Sequence, residues 1–129
     1  MDQDPLVMEE IDAGAELARR FNDYAPLKAA FWLKVAPDQQ RYLYIASDAI
    51  NDTNFDRAYG EVFRILSQMR TPSLDPFRVK VIGGDNPLAR AAVDIHNRFP
   101  APLASRLRDT EFGGVIADDV YLYPSPLPA

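Results

Sequence analysis

Two neighbouring segments of this chain alternate two kinds of side chain with a period of two, the spacing of a β-strand. The first, LKAAFWLKV at residues 27–35, sets a row of apolar side chains against a row that contains lysines and a tryptophan. The second, RYLYIAS at residues 41–47, sets leucine and isoleucine against two tyrosines. The residues APDQQ between them favour a turn. The pattern predicts a β-hairpin, which is stable only when further elements cover it.

Three longer segments carry apolar side chains at helical spacing, and a fourth segment, FRVKVI at residues 77–82, alternates like a strand. The helices are predicted at residues 5–24, 53–70 and 87–98. Further along the chain, a short helical piece is expected at residues 103–108 and two short strands within residues 112–123.

The predicted order of elements is therefore α-β-β-α-β-α-β-β. It places residues 1–129 in a single α+β domain, with three main helices on a mixed or antiparallel sheet of about four or five strands. A helix separates the second predicted strand from the third, which allows these two strands to be parallel. Residues 1–4 and 124–129 are expected to form extended ends.

Composition narrows the classes of function. The 129 residues are 47% hydrophobic and 26% charged, as in one globular domain. The chain has no cysteine, which excludes disulfides, thiolate metal sites, iron–sulfur clusters and thiol nucleophiles. Its first residues are acidic, unlike a signal peptide, and no apolar run reaches the about 18 residues of a membrane span. We therefore expect a cytoplasmic protein without membrane contacts and without a cofactor.

Several stretches together resemble a widespread set of small bacterial proteins of unknown function. They are AAFWLKVA, YLYIASDAIND, FDRAYGEV, DNPLARAA and DDVYLYP, and the resemblance extends over most of the chain, from about Ile11 to Pro124. The resemblance implies a strand–strand–helix–strand core, a tyrosine-rich end and a single bacterial cytoplasmic domain. It implies no activity and assigns a role to no residue.

One face of the predicted sheet combines aromatic and cationic side chains. If Phe31 and Leu33 share the helix-covered face with Leu43 and Ile45, the opposite face carries a different set. That set is Trp32, Lys34, Tyr42, Tyr44, Arg78 and Lys80. Such a face is typical of protein-binding patches and of sheets that stack single-stranded RNA.

Three interpretations of this face remain open. The acidic first helix can cover it and pair with its lysines, or it can bind a protein partner or a second copy of the chain. Nucleic acid is disfavoured, because the net charge is −5 and nucleic-acid binding depends on an excess of basic side chains. The solvent exposure of Trp32 and Tyr44 decides whether the first helix covers the face.

The stretch VIGGDNPLARA at residues 81–91 outlines a strand, a glycine loop and a helix start. Free N–H groups at a helix start can bind phosphate, and Gly84, Asn86 and Arg90 are the residues that would do so here. The loop lacks the Lys and Ser/Thr of a P-loop, and Asp85 adds a negative charge. A strand-to-helix connector accounts for every residue of the loop, with Asn86 as a helix cap followed by Pro87, and is therefore favoured over anion binding.

Two further motifs fail where their specificity lies. Asp52, Asn54 and Asp56 match the first ligands of a calcium loop, but Arg57 stands where that loop requires glycine. The single histidine, His96, and Ser47 lack the surroundings of a catalytic triad. We expect no metal site and no catalytic residue from them.

The sequence thus leaves two hypotheses for function. The first is a small binding or protein-interaction module that uses the aromatic and cationic sheet face, or a homodimer interface there. The alternative is a protein, including an enzyme, that binds phosphate or a nucleotide at the loop of residues 83–87.

Overall fold

The computed structural model describes residues 6–35 and 40–125. The predicted turn at residues 36–40 lies outside this part apart from Gln40. The predicted extended ends lie outside it apart from Pro124 and Ser125. No helix in the described ranges has the length and apolar character that crossing a bilayer requires.

Three helices and five strands follow one another in the predicted order. They are α1 (Met8–Tyr24), β1 (Ala29–Val35), β2 (Arg41–Ser47), α2 (Phe55–Met69), β3 (Val79–Gly83), α3 (Pro87–Arg98), β4 (Ser105–Phe112) and β5 (Val115–Leu122). One turn of 3₁₀ helix, Pro76–Arg78, precedes β3. The α+β class and the mixed sheet are confirmed.

The start of α3 shows how local chemistry sets these boundaries. Asn86 has extended backbone angles, and its side chain accepts a hydrogen bond from the Leu88 N–H at 2.9 Å. Pro87 occupies the first helical position, where its missing N–H leaves no bond unmade. The helix therefore begins at the residue that the Asn-Pro pair predicts.

The five strands form one sheet in the order β3-β2-β1-β5-β4. Neighbouring strands are antiparallel except β2 and β3, which are parallel, as the intervening helix α2 allows. Strand β1 is central, and strands β3 and β4 form the two edges.

Helices cover both faces of the sheet. On one face, which we call the α1–α2 face, side chains of α1 and α2 pack with Trp32, Leu43 and Val81. On the other, the α3 face, Ala89 and Ala92 of α3 pack with a second group of strand residues. That group is Phe31, Leu33, Phe112, Val120 and Leu122. The core therefore has two layers, one on each side of β1.

The prediction for the C-terminal third needs correction. Residues 103–108 are not helical, and β4 and β5 are two eight-residue strands joined by Gly113 and Gly114. Both glycines have positive φ angles, 60° and 91°, as the two-residue turns of tight hairpins require. Gly113 also has no room for a side chain, because an added Cβ would lie 2.8 Å from the Leu88 Cα.

Hydrogen bonds of the buried Tyr123 hydroxyl connect the residue after β5 to β1 and α1. Trp32 Nε1–H donates to the Tyr123 hydroxyl at 3.0 Å, and that hydroxyl donates to the Ile11 carbonyl at 2.6 Å. Burial raises the pKa of Tyr123 well above its ordinary value, so the phenol stays a donor. The contact needs Gly14 on α1, because a Cβ there would lie 2.3 Å from the Tyr123 hydroxyl oxygen.

We predict opposite effects for two glycine substitutions in helices. Gly14→Ala forces the hydroxyl of Tyr123 out of its bonds and should lower the free energy of unfolding by about 1–3 kcal/mol. Gly60→Ala on α2, where an added Cβ meets no atom within 4 Å, should raise it by about 1 kcal/mol through helix propensity. Urea unfolding of both variants checks this, and stabilisation by Gly14→Ala would contradict the close packing.

Candidate functional site

The register between β1 and β2 divides the predicted aromatic and cationic face. Trp32 lies opposite Leu43, and Phe31 lies opposite Tyr44. This register differs by one residue from the expected one, in which Phe31 shares a face with Leu43. A slip of one residue moves every side chain of a strand to the other face. Trp32 and Lys34 therefore lie on the α1–α2 face, whereas Tyr44 lies on the α3 face.

Burial separates these residues further. Trp32 is 1% exposed and packs in the core that α1 helps to form, and Lys34 is 6% exposed. Tyr44 is half-buried, with its ring stacked on Phe31 at a centroid distance of 5.3 Å. The aromatic and cationic face expected from the sequence is not one continuous surface. Trp32 and Lys34 lie on the side that α1 and α2 cover, whereas Tyr44 lies on the opposite side, where α3 packs.

A different aromatic and cationic surface lies along the outer edge of β3. We call it the β3-edge surface, and it consists of Tyr42, Tyr59, Phe63, Pro76, Phe77 and Lys80. The Lys80 ammonium lies 4.6 Å from the centroid of the Tyr42 ring, within range of a cation–π interaction. All but Tyr42 line, together with Val79, a cleft of about 310 Å³.

Two rings project from this surface. The side chain of Phe77 is 78% exposed and that of Phe63 is 44% exposed, and the rings meet edge to face at a centroid distance of 5.8 Å. Sequence periodicity alone predicts both in the core. The 3₁₀ turn at Pro76–Arg78 breaks the strand alternation, so Phe77 no longer points inward with Val79.

The backbone of the β3 edge is closed by groups of the same chain. The Val81 N–H donates to the Tyr59 hydroxyl at 3.0 Å, and the Val79 N–H donates to the Pro76 carbonyl. An edge strand with occupied N–H groups is a poor template for another strand. A strand added at this edge would therefore find these two N–H groups already bonded.

A buried ion network lies on the α1–α2 face. Arg106 donates two hydrogen bonds of 2.7 Å to the Asp119 carboxylate, and Arg41 Nη2 donates a third at 3.0 Å. Burial alone would raise the pKa of Asp119, but the hydrogen bonds and charge of Arg106, with the charge of Arg41, outweigh it and lower that pKa. Arg78 joins the network by donating to the Arg41 carbonyl at 2.9 and 2.6 Å.

The glycine loop leads into a small cleft of mixed charge. Gly84 and Arg90 line a volume of about 270 Å³ together with Lys28 and Asp94. Lys28 Nζ lies 3.2 Å from an Asp48 carboxylate oxygen, and Gly84 is needed there because its Cβ would overlap that carboxylate. Asn86 does not face a ligand, since its side chain caps α3.

The remaining candidates are held apart or occupied. The Ser47 hydroxyl accepts a hydrogen bond from the Ala49 N–H at 3.1 Å, and His96 Nε2 donates to the Tyr123 carbonyl at 3.1 Å. Asn54 bonds to Asn51 and Ala49 in the turn before α2. Within residues 6–35 and 40–125, no three His, Asp or Glu side chains are grouped to hold a metal ion.

Comparison with known proteins adds no further assignment. No protein-family model, no curated protein and no solved structure matches this chain.

We predict that the Tyr59 hydroxyl protects the β3 edge. Tyr59→Phe leaves the Val81 N–H without its partner, so that amide should exchange with deuterium at least about tenfold faster, equivalent to about 1.4 kcal/mol of lost protection. Tyr42→Phe is the control, because no hydrogen bond of its hydroxyl is found among the described residues. Equal exchange of Val81 in both variants would contradict the role of Tyr59.

We also predict a pH-dependent effect of Asp119→Asn. The variant leaves buried Arg41 without its carboxylate and should lose about 3–5 kcal/mol of unfolding free energy near neutral pH. Because the folded-state pKa of Asp119 is lowered, its stabilisation is present above the unfolded value of about 3.9 and is lost as pH falls through the folded value. The difference between wild type and variant should therefore shrink in acid. Urea unfolding between pH 7 and pH 2 checks this, and a difference that does not change with pH would contradict it.

Proposed function

We propose that this protein is a small cytoplasmic interaction module that binds a protein partner through the β3-edge surface. The observation that carries the proposal is the exposed Phe63–Phe77 pair beside a cleft of about 310 Å³. Two large aromatic side chains side by side in solvent are uncommon on a surface without a binding role.

The energetics of burial support a protein ligand. Covering one exposed phenylalanine removes enough apolar area from water to contribute about 1.5–3 kcal/mol, and Phe77 and Phe63 adjoin each other. Lys80 and Tyr42 supply a charged and an aromatic rim, and rims of this kind surround the apolar centres of interfaces. The bonds that close the β3 backbone favour a partner that inserts side chains into the cleft.

Charge supports protein over nucleic acid. The whole chain carries −5, and Lys80 is the one cation that lines this cleft among the described residues. Binding of a nucleic acid strand to a groove depends on several cations that follow its phosphates. An apolar peptide segment needs no such row.

Crosslinking followed by a direct titration tests this proposal. A photoreactive phenylalanine analogue at position 77, in cells of the organism that encodes the protein, should form one discrete adduct that the same analogue at Phe99 does not form. Phe99 is 51% exposed but lies at the end of α3. The captured protein, once purified, should bind the Phe77→Ser variant at least about tenfold more weakly than wild type, a change of about 1.4 kcal/mol, and Phe99→Ser like wild type.

Two outcomes would refute the proposal. One is a crosslinking result in which positions 77 and 99 form the same adduct, or in which neither position forms an adduct. The other is equal affinity of the purified partner for wild type and Phe77→Ser.

Binding of a small anion is a second candidate function, favoured by one observation. Lys28 and Arg90 line the same cleft, and no ion pair of Arg90 is found within the described residues. Millimolar inorganic phosphate should then raise the melting temperature of wild type but not of Arg90→Ala. Unchanged melting of wild type in phosphate would count against this function.

A further inference from the structure

The two edges of the sheet differ in whether their backbone is free. At β3, the Tyr59 hydroxyl and the Pro76 carbonyl occupy two N–H groups. At β4, the backbone pairs with β5 on one side, and no described residue hydrogen-bonds to the backbone of Ser105–Phe112 on the other. An edge strand of eight residues with a free side is a site where another strand can add.

The order of charges along β4 identifies the strand that fits. The sequence SRLRDTEF carries Arg106 and Arg108 in its first half and Asp109 and Glu111 in its second half. An antiparallel second copy sets the cationic half of each strand against the acidic half of the other. We propose that two copies of this chain pair through β4 about a two-fold axis and form one continuous ten-stranded sheet.

Charge also selects the register. With the axis between Arg108 and Asp109, Arg108 lies opposite Asp109 of the second copy, and Arg106 lies opposite Glu111 of the second copy. A register centred on residue 106, 107 or 108 sets arginine against arginine instead. Opposite charges directly across a sheet are favourable and like charges are unfavourable, so one register is preferred.

The left-handed residue in the middle of β4 is compatible with this pairing. Asp109 has a φ of 51°, which interrupts the regular strand. Leu107 and Phe112 consequently both pack on the α3 face, although a regular strand would place them on opposite faces. The same shift puts Arg106 and Glu111 together on the α1–α2 face. Paired residues across a two-fold axis must share a face, and Arg106 and Glu111 meet that condition.

The exposed side chains near β4 are available for such a contact. The Arg108 side chain is 68% exposed, and its Nε lies 3.9 Å from the nearest Asp119 carboxylate oxygen, beyond hydrogen-bond distance. Arg106, in contrast, donates two short hydrogen bonds to Asp119. Exposed Leu103 precedes β4, and exposed Ile116 on β5 lies beside its second half. The pair between Arg108 and Asp109 of the second copy is therefore the one to test.

Sedimentation equilibrium of charge-reversed variants tests the dimer. Wild type should be dimeric, and Arg108→Glu or Asp109→Lys alone should weaken dimerisation at least about tenfold, because each sets like charges across the axis. An equimolar mixture of the two variants should recover the dimer. In the mixed dimer, the new carboxylate at position 108 of one variant lies opposite the new ammonium at position 109 of the other, and the unchanged Asp109 of the first lies opposite the unchanged Arg108 of the second. Thermal unfolding of each variant verifies that its monomer is folded.

Two control variants separate this dimer from other contacts. Arg57→Glu, an exposed charge reversal on α2, should leave dimerisation unchanged. Phe77→Ser should also leave it unchanged, which separates this proposal from the one for the β3-edge surface. A monomeric wild type, a dimer unaffected by both charge reversals, or a mixture that stays monomeric would overturn the inference.

Discussion

The burial of β1 on both faces is the constraint on which this structure depends. Six of its seven residues are buried, and it has a strand on each side and helices above and below. A strand in this position has no face left for solvent, so its two rows of side chains must both fit a core. Trp32 fills the α1–α2 side, and Phe31 fills the α3 side. The two surfaces that we propose for binding consequently lie at the edges of the sheet.

The ion network of Asp119 joins three strands of the sheet. It links β2, β4 and β5 through Arg41, Arg106 and the carboxylate between them. Two arginines on one carboxylate leave a local excess of positive charge in a partly dry environment. Such a group contributes little as a source of net stability, but breaking it is unfavourable because a buried charge is left behind. A shifted register would separate these charges, so the network favours one arrangement of the three strands over its neighbours.

The sequence was informative where local chemistry decides structure. The bounds of β2 and the start of α3 follow from alternation and from the Asn86-Pro87 pair, and the order of elements follows from the periodicity. The sequence does not reveal which row of β1 side chains shares a face with Leu43 and Ile45 of β2. That depends on the register, which the connection at residues 36–40 sets, and alternation alone fits two registers that differ by one residue. Periodicity also does not say on which face of the sheet α3 packs.

The edges were the hardest part to predict. Strand β4 is half exposed and rich in charge, so its alternation is weak, although Gly113-Gly114 was a hairpin signal that could have revealed it. The β3-edge surface was only partly anticipated, through Tyr42 and Lys80. Alternation alone places Phe77 inward with Val79 and Val81, and a single 3₁₀ turn is too short to leave a periodic signal.

The hydroxyl of Tyr59 has a consequence for the size of any assembly built on this sheet. A chain with two open edges can add neighbours without end, as fibrils do, whereas a chain with one closed edge can be extended only once. By occupying the Val81 N–H, the Tyr59 hydroxyl hinders strand addition at the β3 edge. If two copies pair through β4 as we propose, growth by strand addition would stop at two chains and would leave the β3-edge surface exposed for the partner that we propose there.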